Sequence, residues 1–350
     1  MTDSDNSADF TALRGMIVGL GAMGALHLRV LSSLPGAEIV AAVDPDRARR
    51  EDMLRVHPRI TGYGTIEEAL DTHELDFACL AVPVGALPGC AVTTLSAGLH
   101  TFVEKPMAPT EDQAREMTEV ADEYGRVLGV GYVERFNPAV VALKRKLADD
   151  AIGRIVQMHA RRLSPFPNRA GMAGVALDLA THDIDIMRFL SGSEVERVYA
   201  ESGARTGEEG DDLLSATLRF DSGSTGLLEV NWITPTKVRE LSVLGEGGMF
   251  VVNYLTQDLT FYEHPTRSID WDQLSGMRGG REGDMVRYAL DRREPLRVQW
   301  EAFTDAVRHG SSATVGGEDG LAALSTARAI QKAGVEHRVM VPEYREAALA

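Results

Sequence analysis

The segment Met16-Ile-Val-Gly19-Leu-Gly21-Ala-Met-Gly24 carries glycines at G-x-G-x-x-G spacing. It lies between an apolar run and a stretch with helical periodicity, and no other feature constrains the fold as tightly. Each glycine has a physical task. Gly19 allows a tight turn after a strand. Gly21 lets the backbone approach a pyrophosphate. Gly24 lets the following helix pack closely on that strand. The start of the helix, at Ala22 and Met23, then offers free N–H groups to an anion. Asp44 closes the next apolar run, about twenty residues beyond Gly24, where a carboxylate holds ribose hydroxyls. That carboxylate would repel a 2′-phosphate, so NAD is expected in preference to NADP. Arg47, Arg49 and Arg50 follow it and could soften that preference, but they read first as a solvated helix face.

Around this turn the first 130 residues alternate two textures. Near-continuous apolar runs lie at 16–20, 39–43, 77–82, 101–103 and 127–130, and stretches of helical spacing lie between them. Strands apolar throughout and separated by helices indicate a parallel sheet covered on both faces, which is the doubly wound α/β pattern. One helix has a legible start: Thr110 as N-cap, with Glu111 and Asp112 in the first turn. Beyond residue 150 the runs become β-branched or alternating and are separated by turn signals such as Asp221-Ser222-Gly223. They are expected at 155–162, 195–201, 213–220, 225–232, 238–244 and 249–254. This second texture reads as an α+β domain with an open, largely antiparallel sheet. Helices are expected near 178–190, 299–309 and 319–333.

The length of 350 residues suits two domains. The division expected is a loosely ordered 1–13, a dinucleotide-binding domain at 14–135 and a substrate-binding α/β domain at 136–350. Net charge is −16, which disfavours nucleic acids and anionic membranes as partners. The N-terminus lacks the basic start and apolar core of a signal peptide. The apolar stretch 77–103 is interrupted by Pro83, Gly85, Pro88, Gly89 and Gly98, unlike a membrane span. Two cysteines, Cys79 and Cys90, are too few for a disulfide framework. A reducing cytoplasm is the expected setting.

Two further constellations carry chemistry. The run at 101–103 ends in Glu104-Lys105-Pro106. Open α/β sheets bind ligands at the carboxyl ends of their strands, so Lys105 lies on the functional edge. It could bond a substrate hydroxyl or serve as a surface ion-pair partner. Farther along, Asp178 and His182 stand at i and i+4, on one face of a helix. Histidine titrates nearest neutral pH, and a carboxylate beside it can orient it or the substrate. A metal site built from Asp178, His182 and Asp185 is a further alternative. No cysteine accompanies them and no H-E-x-x-H occurs, so no metal is expected.

Taken together, the glycine turn, Glu104-Lys105-Pro106 and Asp178-x-x-x-His182, in that order, resemble the glucose–fructose oxidoreductase and inositol dehydrogenase (Gfo/Idh/MocA) family over nearly the whole chain. The segment Gly131-Tyr-Val-Glu-Arg-Phe-Asn-Pro138 is similar to the strand by which that family leaves its Rossmann domain. The resemblance implies NAD contacts at Gly19, Gly21, Ala22, Met23, Gly24 and Asp44. It also implies contacts at the strand ends Ala81, Val82, Pro83, Glu104 and Lys105. It implies hydride transfer between a sugar or cyclitol carbinol and the nicotinamide, with Lys105, Asp178 and His182 as the catalytic set and His182 as general base. One departure stands out: the family often has Pro-Asn-x-x-His after the third strand, and this chain has Pro83-Val84-Gly85-Ala86-Leu87.

The stretches Glu134–Pro138 and Arg161–Arg169 look most like members that oxidise UDP-linked amino sugars at C3. Arginines ahead of the active helix, Arg161, Arg162 and Arg169, could meet a diphosphate bidentately, with Arg161 and Arg169 as the substrate-binding pair expected. They could equally pair with surface carboxylates. A free sugar or inositol is the alternative substrate. A non-catalytic NAD-binding sensor is the alternative of another class, and the presence of Lys105, Asp178 and His182 argues against it. An open sheet leaves a face to cover, so a homo-oligomer, dimer or tetramer, is expected.

Overall fold

The computed structural model describes residues 12–167, 174–204, 210–264 and 283–345. It divides into two compact units. The first comprises the chain up to Gly131 together with Leu296–Gly320. The second comprises Tyr132–Pro295 and the chain from Leu321 onward.

In the first unit, β1 (Leu13–Val18), α1 (Ala22–Leu31), β2 (Ala37–Val43), α2 (Arg47–Val56), β3 (Thr61–Tyr63), α3 (Ile66–Thr72), β4 (Phe77–Leu80), α4 (Leu87–Ser96), β5 (His100–Val103), α5 (Glu111–Glu123) and β6 (Leu128–Val130) follow one another. The strands form one parallel sheet in the order β3-β2-β1-β4-β5-β6. The connection reverses between β1 and β4, the switch point beside which such sheets bind ligands. Thr110 caps α5 by accepting from Gln113 N, and Gly125 follows the helix at φ +59°, as the residue pattern indicates. Strand β1 begins at Leu13, inside the stretch expected to be loose; residues 1–11 lie outside the described residues.

The second unit holds α6 (Pro138–Ala148), β7 (Ile155–Leu163), α7 (Thr181–Ser191), β8 (Val195–Gly203), β9 (Leu213–Phe220), β10 (Thr225–Asn231), β11 (Val238–Gly245), β12 (Gly248–Asn253), β13 (Asp258–Glu263) and β14 (Met285–Tyr288). Its sheet has the order β14-β13-β12-β11-β7-β10-β9-β8. Every named pair is antiparallel except β7 with β10. Strands β13 and β14 were not expected. Gly131–Pro138 is not a strand: Val133–Phe136 forms a 3₁₀ turn, and Asn137 then caps α6 by accepting from Ala139 N. Proline at the first helical position suits that start.

A single cut at 135/136 does not describe the units, because α8 (Pro295–His309) returns to the first one. The physical reason is aromatic. Trp300 and Phe303 complete a core with Ile17, Phe77, Cys79 and Phe102. Trp300 is fully buried, with its ring centroid 4.7 Å from that of Phe102. The chain continues through α9 (Gly317–Glu336), which begins in the first unit and passes into the second. Among the described residues no helix is long and apolar enough to cross a membrane.

Removing this indole should be costly. Trp300→Ala is expected to lose about 3–5 kcal/mol of stability, as large aromatic truncations do. Trp300→Phe should lose roughly 1–3 kcal/mol, because it orphans a buried nitrogen of His27. Urea denaturation of the two variants would show the ordering; a Phe variant as stable as the parent protein would refute the role given to the indole N–H.

Candidate functional site

The glycine turn joins β1 to α1 at the switch point. Gly19 has φ +92°, and a Cβ there would lie 2.5 Å from the carbonyl oxygen of Ala81. A Cβ on Gly24 would lie 1.8 Å from the carbonyl oxygen of Gly19. Both positions therefore exclude side chains for reasons of packing. Gly21 differs: its φ is −70° and a Cβ would meet nothing within 4 Å. Open space stands where a ligand's pyrophosphate is required to approach. Gly21 is also the N-cap of α1 and brings no side-chain acceptor, so the first N–H groups of the helix, at Ala22, Met23 and Gly24, remain for an anion.

Asp44 is 3% exposed. Its carboxylate accepts from Leu20 N at 2.8 Å and from Asp46 N at 2.9 Å, which ties it to the glycine turn. Two of the arginines read as a solvated face are engaged with this strand end. Arg50 donates to the Asp44 carbonyl, and an Arg49 guanidinium nitrogen stands 3.7 Å from the Asp44 carboxylate. Arg47 pairs with Glu51 on the surface. The open room, the uncapped helix start and the buried carboxylate fit a dinucleotide.

Ala81, Val82 and Pro83 leave β4 on the same edge, and Ala81 N is held by Val18 O at 2.8 Å. The apolar Pro83–Leu87 stretch makes the turn into α4, which starts without a side-chain cap. Glu104 and Lys105 leave β5, and the Lys105–Pro106 peptide bond is cis. Glu104 is fixed from behind by a residue that the motifs did not reveal. Trp300 Nε1 donates to His27 Nδ1 at 2.9 Å, so the ring proton of His27 sits on Nε2, which bonds Glu104 Oε1 at 2.7 Å. Lys105 N donates to the other Glu104 oxygen at 3.2 Å. His27 shares the buried face of α1 with Gly24, Leu28 and Leu31, and that spacing was the available signal. Cys79, fully buried, has its thiol held well above the ordinary range by burial and then by the Glu104 charge, so it stays protonated.

In the second unit, Asp178 and His182 lie where β7 returns to α7. The uninterrupted α-helix expected here is not found: Ala176–Ala180 is a π turn, closed by i→i+5 bonds, and α7 begins at Thr181. Asp178 still falls one turn before His182. Thr181 Oγ1 bonds back to Leu177 O at 3.0 Å across this irregularity. Such π turns recur at functional sites. The turn's start is pinned by Asp211, whose carbonyl accepts from Val175 N at 2.8 Å. His182 Nδ1 is buried, and the ring of Tyr132 meets that of His182 edge-on at 6.0 Å. Burial, and then the Asp185 charge, push the Tyr132 phenol upward, so it stays protonated.

Helix α7 is fastened by two bidentate ion pairs. Arg135 Nε and Nη2 donate to Asp185 at 2.8 and 2.6 Å. Arg162 Nε and Nη2 donate to Asp183 at 2.7 and 3.0 Å, and its Nη1 bonds Glu134 at 3.3 Å. Burial alone would lower the pKa of Arg162, but Asp183 and Glu134 outweigh it and hold the guanidinium above its ordinary value. Asp185 is thus committed to Arg135.

The substrate role expected for Arg161 is corrected. Met158, Ala160 and Arg162 point to the buried face of β7, and Gln157, His159 and Arg161 point to the other. Arg161 bonds Glu229 at 2.9 Å and stands 3.7 Å from Glu240 on that outer face. Arg162, the second of these arginines, faces inward but is committed to Asp183 and Glu134. Arg169 lies outside the described residues. The inner face also holds Arg239 on β11, directly opposite Arg162 in the ladder and unforeseen in the sequence.

Comparison with known proteins accords with this geometry. A family model for an oxidoreductase family with an NAD-binding Rossmann fold matches residues 13–132. A GFO/IDH/MocA C-terminal domain model matches residues 140–251. Together they span well over half of the chain, and the protein belongs to the GFO/IDH/MocA family. It is an NAD-binding oxidoreductase. Relatives include scyllo-inositol 2-dehydrogenase (NAD(+)) of Bacillus subtilis strain 168, 24% identical, with 90% of this chain and 94% of the relative aligned. Among solved structures, UDP-N-acetylglucosamine 3-dehydrogenase from Acidithiobacillus ferrooxidans superposes with a TM-score of 0.81 at 22% identity, covering 92% of this chain and 97% of that one. The WlbA dehydrogenase from Bordetella pertussis, in complex with NADH and UDP-GlcNAcA, gives 0.81 at 21% identity, covering 95% and 98%. At these identities the structural likenesses speak to the fold.

The two inner glycines should separate experimentally. Gly21→Ala is expected to change stability without cofactor by no more than about 1 kcal/mol, the scale of an N-cap substitution, while weakening NAD binding. Gly24→Ala should destabilise the protein itself, since the turn must shift. Thermal unfolding without cofactor and calorimetric titration with NAD check both. Breaking one buried pair by Asp185→Ala should cost about 3–5 kcal/mol in chemical denaturation, because Arg135 is left buried and uncompensated.

Proposed function

We propose that this protein oxidises a secondary hydroxyl of a sugar with NAD, and that the sugar is nucleotide-linked, with C3 of a UDP-linked amino sugar as the reacting carbon. The reading rests chiefly on the π turn at Ala176–Ala180, which sets Asp178 one turn before His182 on a helix locked by two buried ion pairs. NAD, when bound, supplies a hydride acceptor. The chain's own residues manage the proton and the developing charge. His182 takes the hydroxyl proton as general base, the task for which imidazole titrates in the right range. Asp178 orients His182 or a neighbouring hydroxyl. Lys105 bonds the reacting oxygen, where an ammonium offsets the negative charge that builds in the transition state. Family likeness to UDP-sugar 3-dehydrogenases over most of the chain supports the nucleotide-sugar assignment. The equally extensive likeness to inositol dehydrogenases makes a free cyclitol the second reading. A homodimer or homotetramer is proposed on the open sheet, with light scattering as the check.

The first test is turnover. Reduction of NAD should follow addition of UDP-N-acetylglucosamine and be weaker with glucose and myo-inositol. Activity on the free polyols alone would keep the hydride chemistry and overturn the nucleotide-sugar assignment. NAD binding without turnover on the whole panel would favour a sensor. His182→Ala is expected to lower kcat roughly a hundred- to ten-thousand-fold, the range of a lost general base, with little change in the calorimetric Kd for NAD.

A further inference from the structure

The inner face of the second unit's sheet carries two guanidinium groups side by side, and only one of them is neutralised. Arg162 on β7 and Arg239 on β11 are paired across the ladder. They are 4% and 8% exposed. Arg162 is enclosed by Asp183 and Glu134. Arg239 forms no ion pair among the described residues. Its Nη1 donates to the carbonyls of Leu163 at 2.7 Å and Val238 at 2.8 Å. These contacts leave Nε and Nη2 without a protein acceptor among the described residues.

A buried guanidinium without a carboxylate is an expensive thing to fold around, and the neighbouring Arg162 adds repulsion. Burial, and then Arg162, lower the pKa of Arg239 to about 10; it remains charged at neutral pH. Three carboxylates offset that destabilisation from a distance: Asp183, Glu134 and Asp178. Arg162, opposite Arg239 in the ladder, is bonded to Asp183, the residue that follows His182, so Arg239 lies near the turn assigned to the substrate. Two adjacent N–H donors on a planar fork match an oxyanion with two oxygens.

We propose that Arg239 is the receptor for an anionic group carried by the sugar substrate, a carboxylate on the ring or a phosphoryl group at its anomeric oxygen. This rests on the reading of the Asp178–His182 turn as the substrate side, and it adds that the substrate is charged close to the ring. Arg239 is thereby a specificity-determining residue. It moves no proton.

The test compares the parent protein with Arg239→Gln and Arg239→Lys on UDP-N-acetylglucosamine, its 6-carboxylate derivative, and the uncharged sugars glucose and myo-inositol. The readout is the ratio of kcat/KM for anionic over uncharged substrates, which general misfolding would not move because both would fall together. Arg239→Gln is expected to lower this ratio roughly ten- to a hundred-fold, the worth of a hydrogen bond to a charged group, mainly through KM. Arg239→Lys should recover part of it. A penalty confined to the 6-carboxylate assigns the receptor to a carboxylate; one shared by both UDP-sugars assigns it to phosphate. A ratio unchanged in Arg239→Gln overturns the proposal while leaving the dehydrogenase reading intact. Should the parent protein turn over none of the panel, thermal shifts by the same UDP-sugars with NAD present decide. Shifts lost in Arg239→Gln support the anion receptor without the chemistry, and no shift in the parent protein overturns it.

Discussion

Burial of charge governs the second unit. Two guanidinium–carboxylate pairs, Arg135–Asp185 and Arg162–Asp183, place four ionised groups where water barely reaches. Each group alone would carry a desolvation cost of several kcal/mol, so each partner is tolerable only in the geometry that bonds it bidentately. That requirement leaves α7 little freedom to slide or rotate. Arg135 comes from the turn before α6 and Arg162 from the sheet, so the helix is held from two directions. His182 sits in the first turn of α7 and inherits that fixity, as does Asp178 just before it. Packing of apolar side chains alone specifies the rotation of a helix less sharply than forked hydrogen bonds do.

The first unit solves a similar problem with a single carboxylate held by neutral partners. Lys105 leaves β5 beside Glu104, which is held by His27 at one carboxylate oxygen and by Lys105 N at the other. His27 in turn is oriented by Trp300, a residue nearly two hundred positions from Lys105 in the chain. The return of α8 therefore does more than cap a core. It fixes the tautomer of a buried imidazole and, through it, the side chain next to the motif lysine. The dependence runs from aromatic packing to hydrogen bonding to the edge of the cofactor cradle.

Legibility in the sequence followed the range of the signals. The glycine turn and Asp44 could be read because each answers to local backbone geometry, and most strands of both sheets because a period is local too, the short β3 (Thr61–Tyr63) excepted. The bounds of β9 agree with the residues 213–220 read from the pattern. Strands β13 and β14 escaped because their faces lack clean alternation. The π turn escaped because periodicity at 3.6 cannot register one extra residue. A cluster of charge at Arg161 and Arg162 does not by itself say which side of a pleated strand each residue faces, and the two face opposite ways. His27, Trp300 and Arg239 have roles set by partners far away in sequence, and a single sequence holds no signal for them beyond their place on an apolar face.

The acidity of the chain makes the local exceptions meaningful. At a net charge of −16 the protein as a whole repels anions. Screening confines that field: at physiological ionic strength exposed charges are felt over only about 8 Å. Surface carboxylates beyond that distance therefore do little to a ligand seated in a recess, whereas unscreened groups close by do a great deal. In the first unit the uncapped start of α1 supplies the positive potential, with the Asp44 carboxylate set apart at the next strand end and bonded to Leu20 N. In the second, Arg239 supplies it, and Arg162 beside it is cancelled by its own carboxylates. Had Arg162 been left unpaired as well, two bare guanidiniums on adjacent strands would have repelled each other in a medium of low polarity. Neutralising one and leaving the other keeps a single positive point on the inner face of this sheet, a polarity that net charge alone would not predict.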